Sequence, residues 1–214
     1  SVTTNEDTAK SITLAGTDAD GDSLSYSVTT QPSKGSLSGT APNLTYTPNS
    51  NANGSDNFTF TVNDGTVTSS AATVTITVTA VNDAPSGTVT ISGTATEDQI
   101  LAASNSLGDE DGLGSFVYQW KRGGGVISGA TASAYTLGQA DVGKPITVEV
   151  SYTDAQGTAE SVSSVATADV GNVNDTPTGS VTISGTATEG QILIASNSLG
   201  DEDGLGTISY QWKR

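Results

Sequence analysis

The residues of this chain that can do chemistry are its carboxylates. Asp plus Glu number 23 against 7 Lys plus Arg, the formal net charge is -16, and Cys, His and Met are all absent. That composition removes thiol nucleophiles, cysteine–histidine zinc sites and the commonest general base. The acids are gathered, not scattered. Asp18-Ala-Asp-Gly-Asp22 places three carboxylates in five residues, and Asp109-Glu-Asp-Gly112 and Asp201-Glu-Asp-Gly204 do nearly the same. Like charges this close repel unless a cation lies among them, and Ca²⁺ takes roughly six to eight oxygens of this kind. An EF-hand is excluded by register: counted from Asp18, Gly21 falls at the fourth position, and Thr29 stands where the bidentate Glu belongs. The competing role for the same residues is turn formation, which Asp-Gly pairs favour without any ion.

Catalysis by paired carboxylates is a poor fit. It needs a cleft with one acid in an apolar pocket. Here the acids lie in Gly-rich stretches, aromatics are 5% of residues, and no His is present to activate a serine. The charge sign argues against nucleic acid, because seven cations cannot track a phosphate backbone. No run approaches the roughly 20 apolar residues of a membrane-inserted helix. The expectation is a non-enzyme.

The elements that must position the acids are strands. Thr73-Val-Thr-Ile-Thr-Val-Thr79 alternates strictly, with Val74, Ile76 and Val78 on one face and threonines on the other. Asn57 to Val62, Val117 to Lys121 and Ile146 to Tyr152 alternate too, and no window carries a helical period. Asp20-Gly21, Asn53-Gly54, Asp64-Gly65, Asp111-Gly112 and Gln156-Gly157 punctuate the runs as turns. The threonine faces could serve as an ice- or glycan-binding surface, but Thr simply suits the exposed side of a strand. The fold class expected is all-β, as tandem Greek-key β-sandwich modules.

Self-comparison fixes the organisation. Gly87 to Arg122 returns almost unchanged as Gly179 to Arg214, so that Trp120 maps to Trp212 and Glu97 to Glu189, an offset of about 92 residues. Val81-Asn-Asp-Ala-Pro85 returns as Val173-Asn-Asp-Thr-Pro177 at the same offset and marks the junctions, with Pro ending each ladder. The domains are therefore 1–82, 83–174 and 175–214, the last being the first part of a further copy of the second repeat. A half-sandwich lacks the strands that cover its apolar face, so it is expected to need completion. Tyr118 and Trp120, and with them Trp212, fall on one strand face, most simply the core.

Two family resemblances emerge from these residues. The first module, with Asn5-Glu-Asp-Thr8, Gly16-Thr-Asp-Ala-Asp-Gly-Asp22, Leu44-Thr-Tyr-Thr-Pro48, Phe58-Thr-Phe-Thr-Val-Asn-Asp-Gly65 and Val81-Asn-Asp-Ala-Pro85, resembles the cadherin-like tandem repeats of large bacterial surface proteins such as RTX-type adhesins. The second, with Tyr118-Gln-Trp-Lys-Arg122, Ile127-Ser-Gly-Ala-Thr131, Tyr135-Thr-Leu137 and Ala140-Asp-Val-Gly143, resembles the immunoglobulin-like repeats of the same proteins. Trp120 then stands where a core tryptophan of that fold packs, without the usual disulfide beside it. The resemblance implies an extracellular, bacterial cell-surface location and calcium held where modules meet. Carried over residue by residue, the first junction would use Glu6, Asn82, Asp83, Asp109, Asp111 and Asp154. The second would use Glu97, Asn174, Asp175, Asp201 and Asp203, while Asp18, Asp20, Asp22 and Asp64 would face a preceding module. Ala80 and Asn172 stand where the family's linker opens with a further Asp, and no Leu-Asp-Arg-Glu segment is present. The function implied is a calcium-braced extender or adhesion segment whose partners are neighbouring repeats of the same chain and a cell-surface or polysaccharide ligand. A carbohydrate-binding module is the alternative, and it would need exposed aromatic rings to stack on.

Overall fold

Alternating β-branched and hydroxyl residues make strands of nearly every apolar run, and glycine turns reverse the chain between them. The computed structural model describes residues 1–214, which divide into two compact units, Ser1–Asp83 and Ala84–Arg214. The only helical element is a single 3₁₀ turn, Gln139–Asp141. No helix is long and apolar enough to cross a membrane.

The first unit is a seven-stranded sandwich: β1 Val2–Asn5, β2 Lys10–Thr13, β3 Ser25–Thr30, β4 Gly35–Thr40, β5 Asn43–Pro48, β6 Gly54–Asn63 and β7 Ala72–Thr79. One sheet runs β1-β7-β6-β3 and the other β2-β5-β4. Pairing is antiparallel except between β1 and β7, which run parallel. The period-2 pattern decides what is inside. Ile76 and Val78 of β7 and Phe58 and Phe60 of β6 meet Ile12, Leu44 and Tyr46 from the facing sheet, all buried. Each such side chain contributes roughly 1.5–3 kcal/mol by leaving water. The threonines between them face out and bond to one another, as Thr59 does with Thr29 and Thr30 at 2.7 Å.

One acid of this unit lies inside. Asp56 on β6 is buried and accepts from the Ser33, Lys34 and Asn57 amides, each at 2.9 Å, from the Ser33 hydroxyl and from the Tyr46 hydroxyl. Burial alone would raise its carboxyl. The donated bonds outweigh that and hold it below the usual carboxylate range. Tyr46 is pushed up to about 12, by burial first and then by the Asp56 anion.

The second unit opens with β8 Val89–Ser92, β9 Ile100–Asn105, β10 Val117–Arg122, β11 Gly125–Val126, β12 Ala134–Thr136, β13 Ile146–Thr153 and β14 Ala159–Ser163. They form a sandwich of sheets β12-β9-β8 and β11-β10-β13-β14. Trp120 is fully buried, stacks on Tyr135 at 5.7 Å and donates its Nε1–H to the Ala132 carbonyl at 2.8 Å. It sits among Leu101, Leu137, Ile146, Val148 and Val150, as the second repeat's sequence led us to expect.

The copy of this pattern, β15 Val181–Ser184 and β16 Ile194–Asn197, pairs in the register of β8 with β9. Its apolar face is uncovered: Trp212 is 51% exposed where Trp120 is 0%, and Leu193 36% where Leu101 is 0%. The expectation that Trp212 is interior is corrected. Segments matching β11 to β14 cover this face in the second repeat, and residues 175–214 contain no counterpart. Without an equivalent of β13 to pair with, residues 209–214 form no strand either. Tryptophan emission should accordingly be the sum of a blue component and a red, quencher-accessible one. Trp212→Phe is expected to leave only the blue; a residual red band in that variant would place Trp120 in water.

Candidate cation site

The site of interest in the second unit begins with a backbone clip. The turn between β8 and β9 is held to the tail of the repeat, with Glu97 N donating to the Gly171 carbonyl and Gly171 N to the Ala95 carbonyl, both at 2.9 Å. This points Glu97 inward, and it is only 2% exposed. Its Oε2 accepts from the Val173 amide at 3.1 Å, at the start of the Asn-Asp-x-Pro linker. The Gln139 carboxamide lies against the same carboxylate. With Nε2 turned toward it, the amide donates to Oε1 at 2.6 Å and Oε2 at 3.1 Å.

The linker and the acidic turn of the third repeat complete the group. Asn174 Nδ2 donates to the Asp175 carbonyl at 2.9 Å, and the Asp175 amide donates to Asp203 Oδ2 at 2.7 Å. Asp201 Oδ1 accepts the Asp203 amide at 3.0 Å and so closes the turn on itself. Carboxylate oxygens of Glu97, Asp175 and Glu202 thereby lie within 4.8 Å of one another. Three anions at that separation, one of them buried, are unfavourable unless a cation compensates them.

Of the sequence-derived set, the structure brings Glu97 and Asp175 together, while Asn174, Asp201 and Asp203 shape the linker and the turn. Glu202 and Gln139 were not foreseen. Glu202 lies inside the acidic run but between the two aspartates that an Asp-x-Asp template selects. Gln139 carries no charge and lies far from every acidic motif, so no sequence signal marks it.

The same clip recurs in the first unit. Glu6 is 4% exposed; its amide donates to the Thr79 carbonyl at 3.0 Å, and its carboxylate accepts from the Val81 amide at 2.6 Å and Asn53 Nδ2 at 3.4 Å. Carboxylate oxygens of Glu6 and Asp83 come within 4.8 Å, and Asn82 Nδ2 donates to the Asp83 carbonyl as Asn174 does to Asp175. Asp18, Asp20, Asp22 and Asp64 behave as turn residues. Asp18 Oδ1 accepts the Asp20 and Asp22 amides at 2.9 and 3.0 Å, and Asp64 Oδ1 accepts those of Thr66 and Val67 at 2.7 and 2.6 Å. The amides of Val67 and then Thr66 hold the Asp64 carboxyl below its usual range.

Asp109, Asp111 and Asp154 lie on two turns of the second unit, where Gly112 and Gly157 supply the left-handed positions (φ +92° and +95°). Asp109 accepts from the Asp111 amide at 2.9 Å and from the Tyr152 hydroxyl, and Asp111 accepts from the Gln156 carboxamide. The Tyr152 hydroxyl is driven up, mostly by burial and then by its bond to Asp109. Asp154 is 5% exposed, and its Oδ1 accepts the Gln156 and Thr158 amides, both at 2.8 Å. Its Oδ2 is buried without any hydrogen-bond partner. A buried anionic oxygen left bare costs several kcal/mol, and a hard cation is the partner that its chemistry suits.

Comparison with known proteins agrees with the architecture. A family model described as a bacterial Ig domain matches residues 1–77, the module that its motifs led us to expect as cadherin-like. No curated protein matches the chain. Among solved structures, an endo-fucoidan hydrolase of glycoside hydrolase family 107 aligns at 19% identity and a TM-score of 0.31, over 80% of this chain and 27% of the hydrolase. Tandem Ig repeats of Dlar align at 12% identity and a TM-score of 0.23, over 78% of this chain and 90% of that one. The chain thus spans about a quarter of the hydrolase's length, and at these scores neither neighbour informs its function. The sandwich topology, with the Ig-domain match to the first module, gives a fold of Ig-like β-sandwich modules.

Proposed function

We propose that this chain is a non-catalytic extender segment of a large bacterial secreted or surface protein, with Ca²⁺ bound at the acidic ends of its modules. The observation that carries the reading is the buried Oδ2 of Asp154, which has no hydrogen-bond partner. The gathering of Glu97, Asp175 and Glu202 supports it from a second place in the same unit. All these ligands are oxygens, which suits calcium and not a softer metal. Calcium at Glu97 and Asp175 would tie a repeat to the linker that follows, so the ion stiffens the passage from one repeat to the next. The strong negative charge keeps such a segment soluble and prevents neighbours from adhering to one another. In the fuller function the modules hold a distal adhesive domain away from the cell. Trp120 is interior, so the complete repeat offers no exposed tryptophan as a sugar platform.

The test is melting in millimolar CaCl₂ against EDTA. One native-only site at about 1,000 times its Kd adds about 4 kcal/mol, so the transition should rise clearly in calcium. Mg²⁺ should substitute poorly because it demands tighter octahedral geometry. Superimposable curves in CaCl₂ and EDTA would end the calcium reading.

A further inference from the structure

Gln139 reaches the Glu97 carboxylate from a part of the repeat that carries none of the acidic motifs, and its mounting is rigid. It opens the 3₁₀ turn, which is fastened from the interior by Asp141, itself only 1% exposed. Asp141 accepts from the Gly138 amide at 2.9 Å, the Tyr135 hydroxyl at 3.0 Å and Arg122 Nε at 2.6 Å. The Val142 amide closes the turn onto the Gln139 carbonyl at 3.2 Å. A flexible glutamine side chain is thereby carried on a fixed base, with its terminal atom 2.6 and 3.1 Å from the two Glu97 oxygens.

A carboxamide presents a carboxylate with two opposite faces. Its NH₂ donates to the anion, and its oxygen repels the anion unless a cation lies between them. When a cation does, both oxygens become ligands of one ion. Distances of 2.6 and 3.1 Å fit an N–H···O bond, and they equally fit adjacent oxygens around one Ca²⁺ with metal–oxygen bonds of about 2.3–2.6 Å. Glu97, Asp175 and Glu202 carry three negative charges against the ion's two positive ones. A neutral oxygen helps fill the remaining coordination positions without adding to that excess.

We propose that Gln139 is a ligand of the cation held by Glu97, Asp175 and Glu202. Its amide turns from donor to Glu97 in the ion-free chain to oxygen donor once the ion is bound. This rests on the calcium reading of the site and adds a ligand to it from the 3₁₀ turn. It also links the interior Arg122–Asp141–Tyr135 network to the linker, because the network fixes the turn that carries the ligand.

The experiment is calcium calorimetry and melting on the intact 214-residue chain, comparing wild type, Gln139→Glu and Gln139→Met. The heat lost in Glu97→Gln gives this site's share. Gln139→Glu keeps the shape and an oxygen while adding a charge. It should melt below wild type in EDTA, yet bind Ca²⁺ more tightly and gain more from it. Gln139→Met keeps the length without the oxygen and should weaken binding by about tenfold or more. Should Gln139→Glu fail to fold without calcium, Gln139→Met carries the test alone. If Gln139 served only to hold Glu97 by donating, Gln139→Glu would bind calcium no better than wild type, and that result overturns the proposal. Equal affinities of Gln139→Met and wild type overturn it too. A wild-type chain that takes up no calcium defeats the calcium reading itself, which is distinguishable from variants that bind just as wild type does.

Discussion

Asp56→Ala should destabilise the first unit by about 3 kcal/mol, a large part of the roughly 5–15 kcal/mol that holds a domain folded. The side chain satisfies three backbone amides and two hydroxyls, and the Tyr46 hydroxyl among them is fully buried. Removing the acceptor leaves that hydroxyl without a partner at about 1–3 kcal/mol, while the more peripheral amides recover water at a lesser cost. For a domain of this size the midpoint should fall by about 12 °C or more. Asp56→Asn separates charge from shape: it keeps the volume but exchanges an acceptor oxygen for a donor facing other donors. The same carboxylate gives the unit a pH dependence of definite sign. Its folded pKa lies below the ordinary value, so its stabilisation is present above the unfolded pKa of about 3.9 and is lost as pH falls through the folded value. Wild type should therefore lose stability below about pH 4 more steeply than Asp56→Asn does. Parallel acid profiles for the two would remove Asp56 from the account.

Asp141→Ala should cost the second unit a similar amount, about 3 kcal/mol, by a different route. Here the loss breaks an ion pair in which the anion is interior and the Arg122 side chain is 31% exposed. Breaking one side of a buried pair costs about 3–5 kcal/mol, and the partial exposure of Arg122 places this case at the lower end. Asp141 also raises the guanidinium pKa through its hydrogen bond to Arg122. The Tyr135 hydroxyl, already raised by burial, would lose its acceptor, as would the Gly138 amide. Urea unfolding at neutral pH measures the effect. Because the turn that bears Gln139 is fixed by Asp141, calcium affinity should fall in the same variant. A change under 1 kcal/mol would mean that the turn is held by Leu137 and its apolar neighbours alone.

Strands, core and turns were legible because their signals are local. Alternation in residues 73–79 and 146–152 is decided by period 2, and both runs bury the expected side chains. Trp120 was legible from its motif. Trp212, with the same neighbours in sequence, was not, because burial depends on covering strands that the local motif does not itself encode. The acidic clusters could be located by composition, but their division of labour could not. Asp18 and Asp64 turn out to cap their own turns, whereas Glu97 and Asp175 meet. That difference arises from the clip between residues 95–97 and 171–173, a long-range contact with no local signature. Asp56 and Asp141 escaped for the complementary reason: a buried acid resembles a surface one until its donors are placed around it.

The parallel pairing of β1 with β7 has a mechanical consequence. Val2 to Asn5 lie beside Ile76 to Thr79 in the same direction, so the chain enters this ladder at one end and leaves it at the other. A pull on the two termini of the unit therefore loads the four pairs in shear, and their hydrogen bonds must fail together instead of opening one by one like a zip. The Glu6 carboxylate, bonded to the Val81 amide just past the ladder's end, adds a charge-assisted bond to the group that must fail. Resistance to tension is thus built into the order of the strands, apart from the depth of the core and apart from any ion.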